Sequence, residues 1–241
     1  MASTATILAG NLALVRRRID TACLRSGREG DAIRLVAVTK YARLDWVREL
    51  IGLGVADLGE SRPQQLIERA EALGEPVRWH LVGHLQRNKV RKVLPLAACI
   101  HSVDSWKLLE RIDLLSAELG LRPDVLLEVN VSAEAAKDGF AVDALADGWP
   151  QAARCRHVRV AGLMTMAPLQ DDPEHARPVF RRLRELRDEL SARPPALALP
   201  ELSMGMSHDF DVAIEEGATM IRVGSDLFAG LAEAGAHGAA R

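Results

Sequence analysis

The sequence predicts an α/β fold, a (β/α)8 TIM barrel with an N-terminal helix, and three observations predict it. Short apolar runs alternate strictly with longer helical patterns along all 241 residues, and such alternation implies parallel strands. Eight strand runs in this length match the roughly 250 residues typical of the closed barrel. No GxGxxG follows the first strand run, which removes the dinucleotide fingerprint of the competing open, doubly wound sheet.

The elements follow in order. Ile7, Leu8, Leu12, Val15 and Ile19 recur at helical spacing and open the chain with an amphipathic helix. Strand runs are Leu35 to Val38, Val55 to Leu58, Val77 to Val82, Cys99 to Val103, Val125 to Val129, Val158 to Leu163, a brief one near Leu202, and Thr219 to Val223. Between them lie helical patterns over Leu44 to Leu53, Pro63 to Leu73, Arg87 to Leu94, Ser105 to Leu119, Val142 to Ala153, Pro173 to Leu190 and His208 to Glu216. Asp104-Ser105 and Asp172-Pro173 read as helix starts, the second with proline at the favoured first position. The stretch "SARPPALALP" reads as a loop, and the small-residue tail "LAEAGAHGAAR" as a frayed end. The whole chain, residues 1–241, reads as one domain.

Composition narrows the function classes. With 48% hydrophobic and 27% charged residues and a formal net charge of -2, the chain has no electrostatic footprint for nucleic acid or a membrane surface. The arginine clusters Arg16-Arg17-Arg18 and Arg181, Arg182, Arg184 and Arg187 read as solvated helix faces. Three separated cysteines, Cys23, Cys99 and Cys155, form neither a disulfide framework nor a metal spacing, which fits reduced thiols in a cytoplasm. The N-terminus lacks the basic start of a signal peptide. No segment has the roughly 18 to 20 uninterrupted apolar residues of a membrane span.

In a barrel, function gathers at the C-terminal ends of the strands, and nearly every strand here ends in polar residues or glycine. The first ends in Lys40, within "LVAVTKY". Only five of the 31 basic residues are lysines, and an amine, unlike a guanidinium, can lose its proton and attack a carbonyl. A lysine that merely reaches solvent is the alternative. The last two strands end in "SMGMS" and "RVGS", glycine/serine turns of the kind that hold a phosphate through backbone N–H groups. Ser207 reads either as a phosphate ligand or as a helix cap. Arg222, embedded in the apolar run "TMIRVG", faces the barrel mouth or pairs with a glutamate, because an unpaired buried charge is costly. Together these residues describe a pocket for a phosphorylated aldehyde.

The motifs "AVTK", "LGES", "WHLVGHLQRNK", "HSVDS", "LEVNVSAEAAKDGF", "GLMTM" and "LSMGMSHDFDVAIEEGATMIRVGSDLF" occur in this order. In order and spacing they resemble the pyridoxal phosphate homeostasis protein family, single-domain relatives of the alanine racemase barrel. The resemblance runs from about Ile33 to Phe228. It implies a fold-type III barrel that binds pyridoxal 5'-phosphate, with Lys40 forming the Schiff base. Ser207, Gly224 and Ser225 would then hold the phosphate and Arg222 would face the pyridine nitrogen. Ser61 stands where many relatives carry asparagine, Ala218 where serine is common, and "GSDLF" where "GTAIF" is usual.

The same resemblance frames the question of catalysis. An arginine opposite the pyridine nitrogen disfavours its protonation and weakens the electron sink. The similar racemases use a tyrosine from a separate C-terminal domain as second acid/base. This sequence has one tyrosine, Tyr41, directly after Lys40, and it ends soon after the last strand turn. The expectation is a cofactor carrier that buffers or supplies pyridoxal phosphate, with no catalytic residue and no metal. The alternative is a slow amino-acid racemase. Expected partners are the cofactor and the apo-enzymes that require it, and the expected state is a monomer or weak homodimer. His80 and His84, four apart across a strand, read as packing and loop hydrogen bonding and not as a metal pair.

Overall fold

A computed structural model describes residues 2–29, 33–74, 77–132, 134 and 138–231. The small-residue tail from residue 232 onward lies outside the described residues, as does part of the "SAEAAKDGF" segment. Eight strands, β1 (Arg34–Val38), β2 (Asp57–Glu60), β3 (Arg78–Leu81), β4 (Ala97–Val103), β5 (Asp124–Glu128), β6 (Arg159–Met164), β7 (Glu201–Met206) and β8 (Met220–Val223), pair in sequence order. All neighbours are parallel, and β1 pairs with β8 to close the barrel. The predicted (β/α)8 architecture is therefore the one adopted.

Helices cover the outside: α1 (Thr4–Arg25), α2 (Leu44–Gly52), α3 (Pro63–Leu73), α4 (Val90–Val93), α5 (Trp106–Leu119), α6 (Val142–Asp147), α7 (Arg177–Ala192) and α8 (Phe210–Glu215). α1 begins at Ser3, whose hydroxyl accepts from the Thr6 N–H, and buries Leu8, Leu12, Val15, Ile19, Ala22 and Cys23. It packs against both α8 and α2, the place in the outer ring that a helix following β8 would take. Asn11 fastens it there by donating to the carbonyls of Leu227 and Ala229 at 3.0 and 2.9 Å. The helix's apolar face is thus used within the chain.

Several predicted boundaries shift for local reasons. The Val142 to Ala153 pattern breaks at Gly148, and Trp149–Arg154 continues as a 3-10 helix with proline in its first turn. Only Val90–Val93 of the Arg87 to Leu94 pattern is α-helical. Asp172 does cap, accepting from the Glu174 N–H, but the turn it starts is 3-10 over Pro173–Ala176 before α7. β2 runs to Glu60 and β7 to Met206, each reaching further toward the C-terminal mouth than the apolar pattern indicates. In β2 the extra length is glycine and glutamate, residues with little apolar signal.

Two apolar clusters result. The large one lies between barrel and helices, and a small one, Cys99, Leu126, Ala161, Met164 and Met220, fills the barrel interior. Polar residues share that interior, with His80, His101, Ser203 and Arg222 all buried.

The arginine clusters are more engaged than a solvated face. Arg177, Arg181 and Arg184 all pair with the buried Glu216, and Arg182 pairs with Glu189. Arg18 turns, half-buried, toward the site described next.

Candidate functional site

The ends of β1, β7 and β8 converge because β8 lies between the other two. Ala37 is in register with Val223, so the Gly224 turn stands beside Val38, two residues from Lys40. The approach is close: a Cβ on Gly224 would meet the Val38 carbonyl oxygen at 3.1 Å. Side chains alternate along a strand, so Val36 and Val38 share the interior face, which a Cβ on Gly59 would touch at 3.0 and 3.4 Å, and Lys40 follows in the turn just beyond β1. The Lys40 side chain is exposed at the mouth, with Nζ 5.0 Å from the Tyr41 ring centroid. Tyr41 itself is 72% exposed.

Ser207 does not cap α8. The helix starts from Asp209, whose Oδ1 accepts from the Met206 N–H at 2.6 Å. The Ser207 hydroxyl turns instead toward the neighbouring strand end, accepting from the N–H groups of Gly224 and Asp226 at 3.3 and 3.5 Å. These long contacts join the two predicted glycine/serine turns into one cup rimmed by N–H donors. Gly205 makes the first turn possible: its φ is +92°, and a Cβ would sit 2.6 Å from Ala213 Cβ and 2.9 Å from Phe210 Cα. Ser225 is exposed at the rim.

Arg18, on α1, supports the cup from behind. It pairs with Asp211 and, at 2.6 Å, with Asp226. It also donates to the Ser207 carbonyl at 3.2 Å and lies 4.0 Å over the Phe210 ring. A run of three arginines near a helix end carries no signal that one of them does this; only the tertiary placement of α1 reveals it.

Arg222 is buried below the mouth. It donates through Nη1 to Ser203 Oγ at 2.5 Å and through Nη2 to the Thr165 carbonyl at 2.9 Å. Among the described residues it forms no ion pair, so the glutamate pairing does not occur. Burial lowers its pKa to about 10, with Asp209 and Glu128 opposing, so it remains a cation at neutral pH.

Three carboxylates surround the mouth. Burial pushes Glu128 up to about 7, helped by Asp138 and Asp104 and opposed by Arg222 and His84. Asp209 is also raised by burial, against its bond from Met206 and the charge of Arg222. Glu60, fully buried at the end of β2, is hydrogen-bonded by Thr39 and paired with Arg69 at 3.1 Å. Burial raises it despite Thr39, Arg69 and Lys40, and its Oε2 has no partner. His84 is exposed and sits 3.1 Å from Asp104, the loop contact expected of it.

The mouth therefore combines a reactive-type amine, an anion cup of backbone donors and a buried cation, a donor set that fits a phosphorylated aromatic aldehyde. Of the predicted residues, Lys40, Ser207, Gly224 and Ser225 share the rim, and Arg222 lies beneath it. Sequence reasoning missed Thr39 and Arg18, and it placed Glu60 and Ser203 at strand ends without giving either its partner. Among the described residues, no helix is long and apolar enough to cross a membrane.

Comparison with known proteins agrees with this fold. The family model described as "Alanine racemase, N-terminal domain" matches residues 12–232. A curated protein of Aquifex aeolicus named "Pyridoxal phosphate homeostasis protein" is 42% identical over 218 residues, 90% of this chain and 95% of that protein. One of the same name from Synechocystis is 37% identical, covering 82% and 91%. The structure of PipY from Synechococcus elongatus with PLP bound superposes with a TM-score of 0.81 at 36% identity, covering 92% of this chain and 99% of that one.

Proposed function

The chain belongs to the pyridoxal phosphate homeostasis proteins of the alanine racemase N-terminal domain family, and from that premise we propose that it binds pyridoxal 5'-phosphate reversibly and buffers or supplies it in the cytoplasm. The observation that carries this reading is the adjacency of Lys40 to the joined Ser207 and Gly224 turns across the β1–β8 closure. Lys40 would hold the aldehyde carbon covalently, while Ser207, Gly224 and Ser225 would hold the phosphate. Arg222 would face the ring nitrogen. When bound, the cofactor supplies an electron sink for carbanions.

The residues around it favour holding over turnover. The Arg222 charge disfavours a second positive charge on the ring nitrogen. Lys40 and Ser225 are open to solvent, which suits exchange better than protection of a carbanion. Tyr41, the one tyrosine of the sequence, is exposed beside Lys40 and does not lie opposite it. The recipients would be apo-enzymes that need the cofactor, served by a monomer or weak homodimer. All 241 residues would form one barrel domain.

A slow amino-acid racemase is the second reading, and Glu128 favours it as a buried carboxyl poised at about 7 near Arg222. Addition of pyridoxal phosphate to the cofactor-free protein should produce a new near-ultraviolet to visible absorbance that Lys40→Ala lacks. Incubation of the loaded protein with L-alanine should leave optical rotation unchanged. Racemisation with kcat at or above ~1 s⁻¹ would replace the carrier reading with the enzymatic one.

A further inference from the structure

Arg222 is one end of a polar run that crosses the barrel interior. Its Nη1 donates to Ser203 Oγ, which lies 2.8 Å from His101 Nδ1. His101 Nε2 is 2.8 Å from His80 Nδ1, and His80 Nε2 is 2.9 Å from Asp57 Oδ1. Arg78 closes the run, donating to both Asp57 oxygens at 2.9 and 2.5 Å. Arg222, Ser203, His101, His80 and Asp57 stand on β8, β7, β4, β3 and β2 in turn, and Arg78 returns to β3. The run begins under the C-terminal mouth and ends at the opposite mouth, in a polar groove that Asp57 and Arg78 share with Arg34 and Glu201.

Donor capacity gives the run a direction. Arginine only donates and carboxylate only accepts. Ser203 Oγ therefore accepts from Arg222 and gives its own proton to His101 Nδ1. His101 carries its proton on Nε2 and donates to His80 Nδ1. His80 donates from Nε2 to Asp57. Every ring nitrogen has a partner in this arrangement. Reversing the direction would leave the Ser203 hydroxyl proton without an acceptor among the described hydrogen bonds, a cost in a buried network.

The charges agree with this direction. Burial, reinforced by the charges of Arg222 and Arg34, holds His101 well below the usual histidine range. Asp57 sits at about 2: burial opposes ionisation, but the hydrogen bonds from His80 and Arg78 prevail. The groups facing His101 are His80 on β3, Cys99 on its own strand β4, and Arg34 and Arg222 on β1 and β8, with Arg34 itself 3.5 Å from Glu201. Cys99 Sγ lies within 4.8 Å of the two imidazoles. Burial keeps that thiol protonated and the ring nitrogens are all engaged, so the cluster works as a relay and not as a metal site.

We infer that Asp57, His80 and His101 are positioning residues that hold Ser203 as the acceptor for Arg222 and so fix the guanidinium beneath the cofactor site from the far end of the barrel. This role toward the cofactor rests on the binding reading above, whereas the relay itself belongs to the protein alone.

Long-range ¹H–¹⁵N correlation spectra of the cofactor-free protein test the relay. Both histidines should show a protonated Nε2 and a bare Nδ1, and His101 should stay neutral as the pH falls through the usual histidine range. An Nδ1–H form of either, or His101 titrating near 6.5, would overturn it. The positioning role is read from the pH-dependent absorbance and retention of added pyridoxal phosphate. His101→Gln and Ser203→Ala should shift the absorbance profile and weaken retention about tenfold, close to the loss of one hydrogen bond to a charged group. Met220→Leu, in the same interior but outside the relay, should do neither. If all three variants behave alike, the positioning role is wrong. A wild-type protein that takes up no cofactor overturns the binding reading instead, and the spectra still decide the relay.

Discussion

Glu128→Gln isolates the electrostatics of the mouth. The wild-type carboxyl keeps its proton up to about 7, against a usual 4.5, because burial and the nearby Asp138 and Asp104 resist its ionisation. Below about pH 4 the folded and unfolded chains both carry this proton, and it adds no pH dependence. Between about 4.5 and 7 the unfolded chain releases it while the folded chain holds it, so stability falls by ~1.4 kcal/mol per pH unit. Across that window the loss reaches about 3 kcal/mol, after which the curve is flat. His101 has the opposite sign: its proton is bound by the unfolded chain near 6.5 but refused by the fold, so it adds stability as pH rises. The difference between wild type and Glu128→Gln cancels His101 and leaves Glu128. Urea unfolding of the cofactor-free proteins from pH 4.5 to 8 should show the variant gaining on wild type by about 3 kcal/mol over the series. A difference that stays constant with pH would refute the raised carboxyl.

Three further outcomes follow from the site geometry. Ser207→Ala should weaken retention of pyridoxal phosphate by about tenfold or less, measured by dialysis, because the backbone donors of the cup remain. Gly205→Ala forces a side chain into a left-handed backbone and onto Ala213 and Phe210; chemical denaturation should show a loss of at least ~2 kcal/mol. Arg222→Leu should change both the absorbance and the affinity of bound cofactor, and equilibrium titration that finds neither would place the ring nitrogen elsewhere.

The barrel was legible in the sequence because periodicity records eight apolar runs separated by helical patterns; alternation alone does not distinguish closure, and the chain length and the missing GxGxxG pointed away from the open sheet. Strand ends were less legible, since Gly59 and Glu60 extend β2 without an apolar signal. Lys40 and the glycine/serine turns could be read because their residue types are chemically uncommon at those positions. The alternatives for Ser207 and Arg222 needed coordinates, which show Ser207 bonded across to the next strand end and Arg222 bonded to Ser203 and Thr165. The interior relay was illegible for a different reason. Asp57, His80, His101 and Ser203 are far apart in sequence, each resembling an ordinary polar residue in a strand, and only the closed barrel brings them into one line.

The central claim is that Lys40 anchors the cofactor beside the Ser207 and Gly224 cup. Its most direct test is borohydride reduction of the protein loaded with pyridoxal phosphate, followed by mass mapping of the labelled peptide. The account predicts one pyridoxyl label, on Lys40, and none in Lys40→Ala. A stoichiometric label on any of the other four lysines, or one retained in Lys40→Ala, would contradict it.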